Sequence, residues 1–470
     1  MFPGLPPLQP SDEALIELGR AMLEADSPPE GDTEIPAGMT YLGQFIDHDI
    51  TLDLTEGLPT SVLDPTAIEN GRTPGLDLDS VYGAGPGEGS NSAAYEDDGL
   101  HLTLGQTTGR DIFGVDEAFP NDLPRKPADD PECPRAAIIG DGRNDENLAV
   151  AQTHLAFLKF HNRIVDEGNH SFEDARRVAR QHYQSIVLHD FLPRLVDPAV
   201  ADDVATNGRK FFMPDGLAAG MRPCMPVEFS VAAYRLGHSM IRNEYEWNRV
   251  FSSTGPGSIA TLGLVFEFSE VSTHRGIFTE PTVPSDWIIR WNSFHDFTGI
   301  GSISNHPQFN VVRRIDTVLA QKLDDLPEFK DLPPEQDFMK SLAARNLLRG
   351  KYLGLPSGQD VARAMGATPL TASEIREGEH ASIIDEHRFG DATPLWYYIL
   401  KEAEVQQDGQ RLGEVGSRIL LETFHALVEG SQDSILREEN WGPTLASVDA
   451  DRFTFADLLM FVDDINPIGD

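Results

Sequence analysis

The sequence predicts a mainly α-helical protein: a single large helical domain with long ordered loops and little β structure. Apolar residues recur at helical spacing in several segments, most regularly from Glu146 to Glu167. A polar, Gly-rich region from about 55 to 135 lacks regular periodicity. We find no internal repeat and no change of composition that marks a linker, so one domain is favoured over several.

The positions of the helices follow from the same periodicity and from capping residues. Residues 1–37 are predicted to form an N-terminal arm with an entry helix, and 38–470 to form the main domain. An amphipathic pattern places the entry helix around Ser11 to Glu24. Further helices are predicted from Ser171 to about Val196, from about Ser230 to Trp247, near 314–325 and 336–349, and over most of 391–430.

Charge and composition exclude several classes of partner. The 76 acidic and 37 basic residues give a formal net charge of −39, a field that repels nucleic acid and anionic membranes. No apolar run is long enough for a membrane span, and no cleavable signal peptide is visible. We therefore expect a soluble protein, either cytoplasmic or exported by a non-classical route. Two cysteines allow at most one disulfide.

One short stretch, Gly43 to Ile50, carries a dense set of chemically active side chains. If it is helical, with Thr40 as its cap, Gln44 and His48 are four residues apart and share a face. Asp47 lies near that face, so an imidazole, an amide and a carboxylate could meet in one site. The alternative is a solvated polar turn or a lone metal site.

A second stretch has the pattern of a calcium loop. Thr73, Asp77 and Asp79 offer oxygen ligands at alternating positions, and Gly75 can turn its carbonyl inward. Calcium takes six to eight oxygen ligands, so a further carboxylate is needed. Asp49 is the obvious candidate because it points away from the face that carries the histidine of the first stretch. An acidic surface turn is the alternative.

Two more pairs stand at helical spacing. Arg143 and Glu146 are three residues apart at the start of a helix, so both can point into one space, although a surface salt bridge has the same pattern. Arg235 and His238 are also three apart. Taken alone, this histidine is more typical of a hydrogen-bonded core residue than of a ligand.

Together, these segments resemble the animal-type haem peroxidases of the peroxidase-cyclooxygenase superfamily, in a bacterial-type form. Gly-Gln-x2-Asp-His-Asp from Gly43 is similar to the distal-histidine motif, and Thr-x3-Asp-x-Asp-Ser-Val-Tyr-Gly from Thr73 to the calcium loop. Gly-Asp-x-Arg-x2-Glu from Gly140 resembles the catalytic-arginine motif, and 235–241 the proximal segment. The resemblance runs from about residue 38 to 430, which makes 38–470 the expected catalytic domain.

The resemblance implies a haem b cofactor, a calcium ion and a set of site residues. The family's functional positions fall on the catalytic residues His48, Arg143 and Gln44, the proximal iron ligand His238, the propionate partner Arg235, the ester-forming Asp47 and Glu146, and the calcium ligands Asp49, Thr73, Gly75, Asp77 and Asp79. The ester-forming carboxylates imply a covalently linked haem. The implied activity is reduction of hydrogen peroxide with oxidation of small aromatic donors, iodide, bromide or thiocyanate.

Two departures from the family pattern qualify this expectation. The family member that oxidises chloride has a methionine directly after the ester-forming glutamate, whereas this chain has Asn147, so chloride oxidation is not expected. The family also keeps an asparagine against the proximal imidazole. No asparagine lies between Asp316 and Ser341, so we expect another group to orient His238.

Two alternatives stay open from the sequence. A fatty-acid dioxygenase of the same superfamily carries a radical tyrosine three residues before the proximal histidine, where this chain has Arg235. A non-catalytic, calcium-stabilised adhesion protein on the same scaffold would not need His48, Arg143 and Gln44. The sequence leaves the oligomeric state open.

Overall fold

A computed structural model describes residues 1–23, 32–54, 61–87, 93–131, 133–168, 170–218, 220–266, 282–324 and 332–470. Helices dominate these residues, and the named strands form two small antiparallel pairs. Their buried apolar side chains make essentially one continuous core. The predicted fold class, a mainly helical single domain with little β structure, is therefore confirmed.

The helices vary from single turns to more than five turns. In chain order they are α1 Asp12–Ala21, α2 Gly38–Ile50, α3 Asp79–Tyr82, α4 Leu148–Gly168, α5 Phe172–Ile186, α6 Leu192–Leu195, α7 Pro198–Asn207, α8 Val227–Ser230, α9 Gly237–Met240, α10 Leu262–Val265, α11 Leu342–Tyr352, α12 Gly358–Met365, α13 Ala372–Arg376, α14 Ala381–Glu386, α15 Leu395–Gln407, α16 Glu414–Gly430 and α17 Phe455–Val462. The strands are β1 Asp32–Pro36, β2 Glu244–Tyr245, β3 Ala260–Thr261 and β4 Val311–Arg313. Strand β1 pairs with β4, and β2 pairs with β3.

The first helix packs into the same core as the rest of the chain. Helix α1 begins after Ser11, whose hydroxyl accepts the backbone N–H of Ala14 at 3.2 Å. Its buried Leu15 and Leu18 face the core, and the helix packs along α11. The predicted entry helix is confirmed over Asp12–Ala21.

Helices α2 and α4 pack against each other. Three apolar side chains of α2, Leu42, Phe45 and Ile46, are completely buried. Phe45 stacks on Phe157 of α4, with ring centroids 4.5 Å apart and planes 4° apart. Because this packing fixes one face of α2, its opposite polar face keeps a fixed orientation.

The helix predicted from Ser171 is continuous but not uniform. Ser171 caps α5 by accepting the N–H of Asp174 at 3.2 Å. A π-helical turn, Val187–Phe191, joins α5 to α6, where Pro193 lies in the first turn. π-Helical turns within α-helices are frequent at functional sites. This turn lies between two cavities, one lined by Phe191 and the other by His189.

Two predicted helices are wrong in form. The segment from Ser230 to Trp247 contains only the last residue of α8, then a 3-10 turn at Ala233–Leu236 and α9, because the backbone leaves the helical conformation at Ala232. Its last part is not helical and includes strand β2. The segment near 314–325 has no α-helix among its described residues. The Ser239 hydroxyl holds the backbone there, accepting the N–H of Asp316 at 2.9 Å.

No helix of the described ranges is both long enough and apolar enough to cross a membrane.

Candidate active site

Helix α2 brings the first group of predicted site residues together. The helix begins at Gly38, where a Cβ atom would lie only 2.1 Å from the His295 ring, so a side chain does not fit. The predicted cap at Thr40 is wrong, because the helix starts two residues earlier and Ala37, at the N-cap, makes no side-chain cap bond. As predicted, Gln44 and His48 lie on one face, and both line the same cavity.

The start of α4 adds polar groups to this cavity. The Gln44 amide donates to Oε2 of Glu146 at 3.3 Å and accepts from the Asn147 amide at 2.9 Å. Nε2 of His48 lies 4.0 Å from the same Glu146 oxygen. The two sequence segments that predict the distal site therefore meet in space, and the Asn147 side chain is held by hydrogen bonds rather than free.

Two buried residues that the sequence reasoning missed support the distal histidine. Nδ1 of His48 lies 2.9 Å from Oδ1 of Asn144, which can accept its proton. Nδ2 of the same asparagine lies 2.9 Å from Nδ1 of His154. A proton on Nδ1 of His48 leaves a lone pair on Nε2, the nitrogen near Glu146. Asn144 directly follows Arg143, and this adjacency is the sequence feature from which its place in the site could have been predicted.

The electrostatics of the cavity keep His48 uncharged near neutral pH. Burial, and after it the positive charge of Arg143, lower its pKa to about 4. The carboxylates of Asp47 and Asp141 oppose this effect but do not reverse it. His48 is therefore available as a proton acceptor.

Arg143 is fixed from two sides. Its Nη2 donates to the backbone carbonyl of Thr51 at 2.7 Å and to that of His48 at 3.1 Å. Its Nε and Nη2 also bond to the Asp141 carboxylate, at 3.1 and 2.7 Å. These bonds hold the guanidinium at the C-terminal end of α2. The positively charged side chain also lines the cavity.

The second histidine of the cavity comes from α9. His238 lines the same cavity as His48, and burial lowers its pKa to about 3, helped by the charges of Arg235 and Arg345. The guanidinium of Arg235 donates to the Ser230 carbonyl at 3.1 Å, and the half-buried side chain lines the cavity. A neutral imidazole of this kind can bind a metal through its unprotonated nitrogen.

The expectation that no asparagine orients His238 is wrong. The Asn346 side-chain amide lies 2.7 Å from Nδ1 of His238, with its Nδ2 on the ring and its Oδ1 3.3 Å from Arg235. Asn346 lies on α11, just beyond the segment that ended at Ser341 in the sequence reasoning. A half-turn of the amide would place Oδ1 on Nδ1–H and leave Nε2 with its lone pair for a metal.

The cavity between these elements has a volume of about 360 Å³. A second, larger cavity of about 880 Å³ adjoins it, and Asp47, Arg143 and Arg235 line both. Two neutral imidazoles held at Nδ1, two carboxylates and half-buried arginines form a donor set that fits a haem with its iron and its anionic propionates. All seven predicted haem-site residues line this cavity: Gln44, Asp47, His48, Arg143, Glu146, Arg235 and His238.

Three of the five predicted calcium ligands, all carboxylates, lie together. Carboxylate oxygens of Asp49, Asp77 and Asp79 lie within 4.8 Å of one another. Oδ1 of Asp77 and Oδ1 of Asp79 are buried without a hydrogen-bond partner among the described residues, which is costly unless a cation binds them. Thr73 belongs to the same loop, since its N–H donates to Asp79 at 2.9 Å. Gly75 donates its N–H to the Thr73 carbonyl at 2.8 Å.

Repulsion and strain in this loop both favour a bound cation. Burial and the neighbouring charges of Asp79 and Asp77 raise the pKa of Asp49 well above its usual range. Leu76 and Leu78 have φ values of 46° and 58°, a left-handed conformation that is unfavourable for leucine. A divalent ion would compensate the charge and hold the strained backbone.

Arg72 connects this loop to the distal arginine. Its guanidinium lies 3.7 Å from Asp79 and 2.6 Å from Asp141, the carboxylate that also holds Arg143. Gly140 allows its segment to pack closely against the loop, because a Cβ atom there would lie 2.5 Å from a backbone oxygen of the loop. The two sites are therefore in direct physical contact.

Comparison with known proteins defines the family. The model of the animal haem peroxidase family matches residues 54–432 of this chain, and the chain belongs to that family. The match begins just after the α2 segment that carries His48. The assignment of His48 as the distal histidine therefore depends on its position in the cavity rather than on this match.

Curated relatives agree with the family. A peroxidase-like protein of Margaritifera margaritifera is 29% identical over 268 residues, which cover 53% of this chain and 31% of that protein. Chorion peroxidase of Drosophila melanogaster is 24% identical over 368 residues, covering 76% of this chain and 41% of the relative. Thyroid peroxidase of Mus musculus is 27% identical over 203 residues, covering 38% and 20%. The chain thus spans well under half the length of these relatives.

Solved structures share the fold. Peroxidase A from Dictyostelium discoideum superposes with a TM-score of 0.62 at 15% identity, covering 99% of this chain and 93% of that one. A fatty acid alpha-dioxygenase of Oryza sativa gives 0.61 at 15% identity, covering 98% and 78%. At this identity the likeness concerns the fold alone, which peroxidases and dioxygenases have in common.

Proposed function

We propose that the protein is a haem-dependent peroxidase that reduces hydrogen peroxide and oxidises small aromatic donors, iodide, bromide or thiocyanate. The observation that carries this proposal is one cavity lined by two neutral histidines, His48 and His238, each held at Nδ1 by an asparagine. Haem would supply the electron transfer when bound, and His238 would hold its iron. Asp47 and Glu146 line the cavity, and this position supports their assignment as the carboxylates that would link haem covalently.

Different residues of the chain have different roles in the proposed reaction with hydrogen peroxide. Nε2 of His48 accepts the first proton of hydrogen peroxide and returns it to the departing oxygen. Arg143 stabilises the negative charge that develops on that oxygen, and Gln44 fixes the Glu146 carboxylate beside it. Arg235 would pair with a haem propionate.

The Asn147 side chain is an amide and has no thioether sulfur, so we do not expect chloride to be oxidised.

A bound calcium ion belongs to the same proposal. Asp49, Thr73, Gly75, Asp77 and Asp79 are its ligands, and Asp49 joins it directly to the residue that follows His48 on α2. The ion therefore supports the position of the distal imidazole.

The test of the function is the spectrum of the haem-loaded protein. Addition of hydrogen peroxide should shift the Soret band, and His48→Ala should slow this reaction about 10²–10⁴-fold by removal of general-base catalysis. An unchanged rate in that variant would contradict the role of His48. A Soret band that does not respond to peroxide would support the non-catalytic alternative instead.

No specific observation favours the dioxygenase alternative. The position three residues before His238 is Arg235, which has no phenol to oxidise. The neighbouring Tyr234 does line the cavity, but its hydroxyl donates to the Gly43 carbonyl at 3.0 Å and so links α2 to the proximal segment. We assign it a structural role.

A further inference from the structure

A row of aromatic side chains leads away from the haem cavity. It begins at Tyr41, which lines the cavity and is buried. Tyr41 meets Tyr245 at a ring-centroid distance of 5.8 Å. Phe294 bridges to the next indole, at 5.7 Å from Tyr245 and 5.3 Å from Trp247. Three oxidisable side chains thus lie in one contiguous stack.

The row continues to the surface. Trp247 and Trp287 have centroids 6.4 Å apart, and the Trp247 indole N–H donates to the Trp287 carbonyl at 2.8 Å. Trp287 stacks on Phe251 at 3.8 Å, and Phe251 contacts Phe113 at 5.7 Å. Phe113 is only partly buried, and the adjacent Ile112 is 71% exposed. The row therefore ends at an exposed apolar spot.

Tyrosine and tryptophan are the side chains most readily oxidised by one electron, apart from those containing sulfur. Neighbouring rings in contact or separated by one further ring exchange electrons rapidly. We propose that Tyr41, Tyr245, Trp247 and Trp287 form an electron relay through which phenols and aromatic amines too bulky for the cavity are oxidised at the Phe113 surface. This inference rests on the proposed peroxidase function, which supplies the oxidant.

The electron balance is that of a peroxidase. One hydrogen peroxide takes two electrons and two protons and gives two water molecules. Two phenol molecules at the surface each lose one electron and one proton, and the electrons travel inward one at a time through Trp287. The protons released at the surface enter solvent, and those consumed in the cavity come from solvent.

The burial of the two tyrosines supports the direction of this relay. Burial raises the pKa of Tyr41 well above its usual range, and also raises that of Tyr245. A phenol that keeps its proton is hard to hold in an oxidised form, whereas an indole can lose an electron without losing a proton. An oxidising equivalent is therefore passed on by the tyrosines and held at the Trp247–Trp287 pair.

The experiment compares two donors in the haem-loaded protein: free phenol, and tyramine coupled through a short linker to cross-linked dextran, which cannot enter the cavity. Trp287→Phe and Trp247→Phe should oxidise the dextran-bound phenol several-fold more slowly and free phenol at the wild-type rate. Trp287→Tyr restores an oxidisable ring and should recover the lost rate. Trp291→Phe, which removes another buried indole outside the row, is the matched control.

A second measurement does not depend on turnover of a donor. After treatment with peroxide alone, peptide mass spectrometry should find oxidation on Trp287, and Trp247→Phe should abolish it. Equal rates with the dextran-bound phenol in wild type, Trp287→Phe and Trp291→Phe would overturn the relay, as would an equal loss in Trp287→Tyr and Trp287→Phe. A wild-type protein that oxidises neither donor would instead contradict the peroxidase function itself.

Discussion

Asn144 determines which nitrogen of His48 carries the proton. Replacing it by Ala removes the acceptor at Nδ1, so the reaction with peroxide should slow about 10–100-fold, the range typical when a group that orients a metal-site histidine is lost. Stopped-flow absorbance of the haem measures this rate. Asn144→Asp keeps an acceptor oxygen and is the control. Wild-type rates in both variants would show that the tautomer is set by something else.

The low pKa of His48 predicts the acid limb of the pH profile. Since the imidazole must be neutral to accept a proton, the peroxide reaction should be constant above about pH 5 and fall as pH drops through about 4. Arg143→Gln removes a repelling charge and should move this fall to higher pH, toward the ordinary value of 6.5. If the acid limb of the pH profile stayed at the same pH in this variant, or moved to lower pH, the charge of Arg143 would not be what lowers the pKa of His48.

The same shift has a consequence for stability. The pKa of His48 is lower in the folded chain than in the unfolded chain, so its contribution to the free energy of unfolding is complete above pH 6.5. That contribution is lost as pH falls through about 4. The buried His161 and His182, with pKa values also lowered to about 4 by burial, act in the same direction.

At the scale of elements, α2 belongs to both sites, with His48 on one and Asp49 on the other. Chelation of calcium should therefore lower the melting temperature and slow the peroxide reaction together. Asp79→Asn should reproduce both effects, and Asp64→Asn, which changes an exposed carboxylate outside the cluster, should reproduce neither. Active protein without calcium in elemental analysis would disprove the coupling.

Helix α2 and the segment just before α4 carry the two carboxylates of the proposed haem linkage. Asp47 is one residue before His48, and Glu146 is held by Gln44 at the start of α4. After repeated turnover with peroxide, we expect haem to resist acid-acetone extraction. The double variant Asp47→Asn with Glu146→Gln should release it. If wild-type protein released all its haem, the carboxylates would be hydrogen-bonding partners only.

Elements with strong periodicity and caps could be predicted from sequence, whereas those held by tertiary contacts could not. Helix α4 matches its apolar pattern, and α5 follows its Ser171 cap. The proximal segment looks helical in sequence, but the backbone breaks at Ala232 and tertiary contacts hold the pieces. The predicted cap at Thr40 was wrong because the helix already begins at Gly38, which packs closely on His295.

The site residues divide in the same way. Residues within compact motifs, such as Gln44 and Arg143, are recognisable because their spacing repeats the family pattern. Asn346 was missed because it contacts His238 across 108 residues of chain, and no local spacing records such a contact. His154 was missed because it is connected to His48 only through Asn144. Their hydrogen bonds become visible only once the helices are packed.

At the scale of the whole molecule, the net charge of −39 opposes compaction. Added sodium chloride should screen this repulsion, because the Debye length falls from about 30 Å at 0.01 M to about 3 Å at 1 M. We therefore expect the melting temperature of calcium-saturated protein to rise with sodium chloride and equally with choline chloride. A fall with salt would show that local ion pairs outweigh the overall repulsion.

The ion pairs from Asp79 through Arg72 and Asp141 to Arg143 have a thermodynamic consequence. Each charged group in this row forms an ion pair with the next one. The free-energy effects of substitutions at Asp79 and Arg143 should therefore not add. A double-mutant cycle on these two residues would therefore return a coupling energy, although they share no direct contact in the row. The calcium loop and the catalytic arginine would then vary together in evolution, and substitution of one would change the set of residues that the other position tolerates.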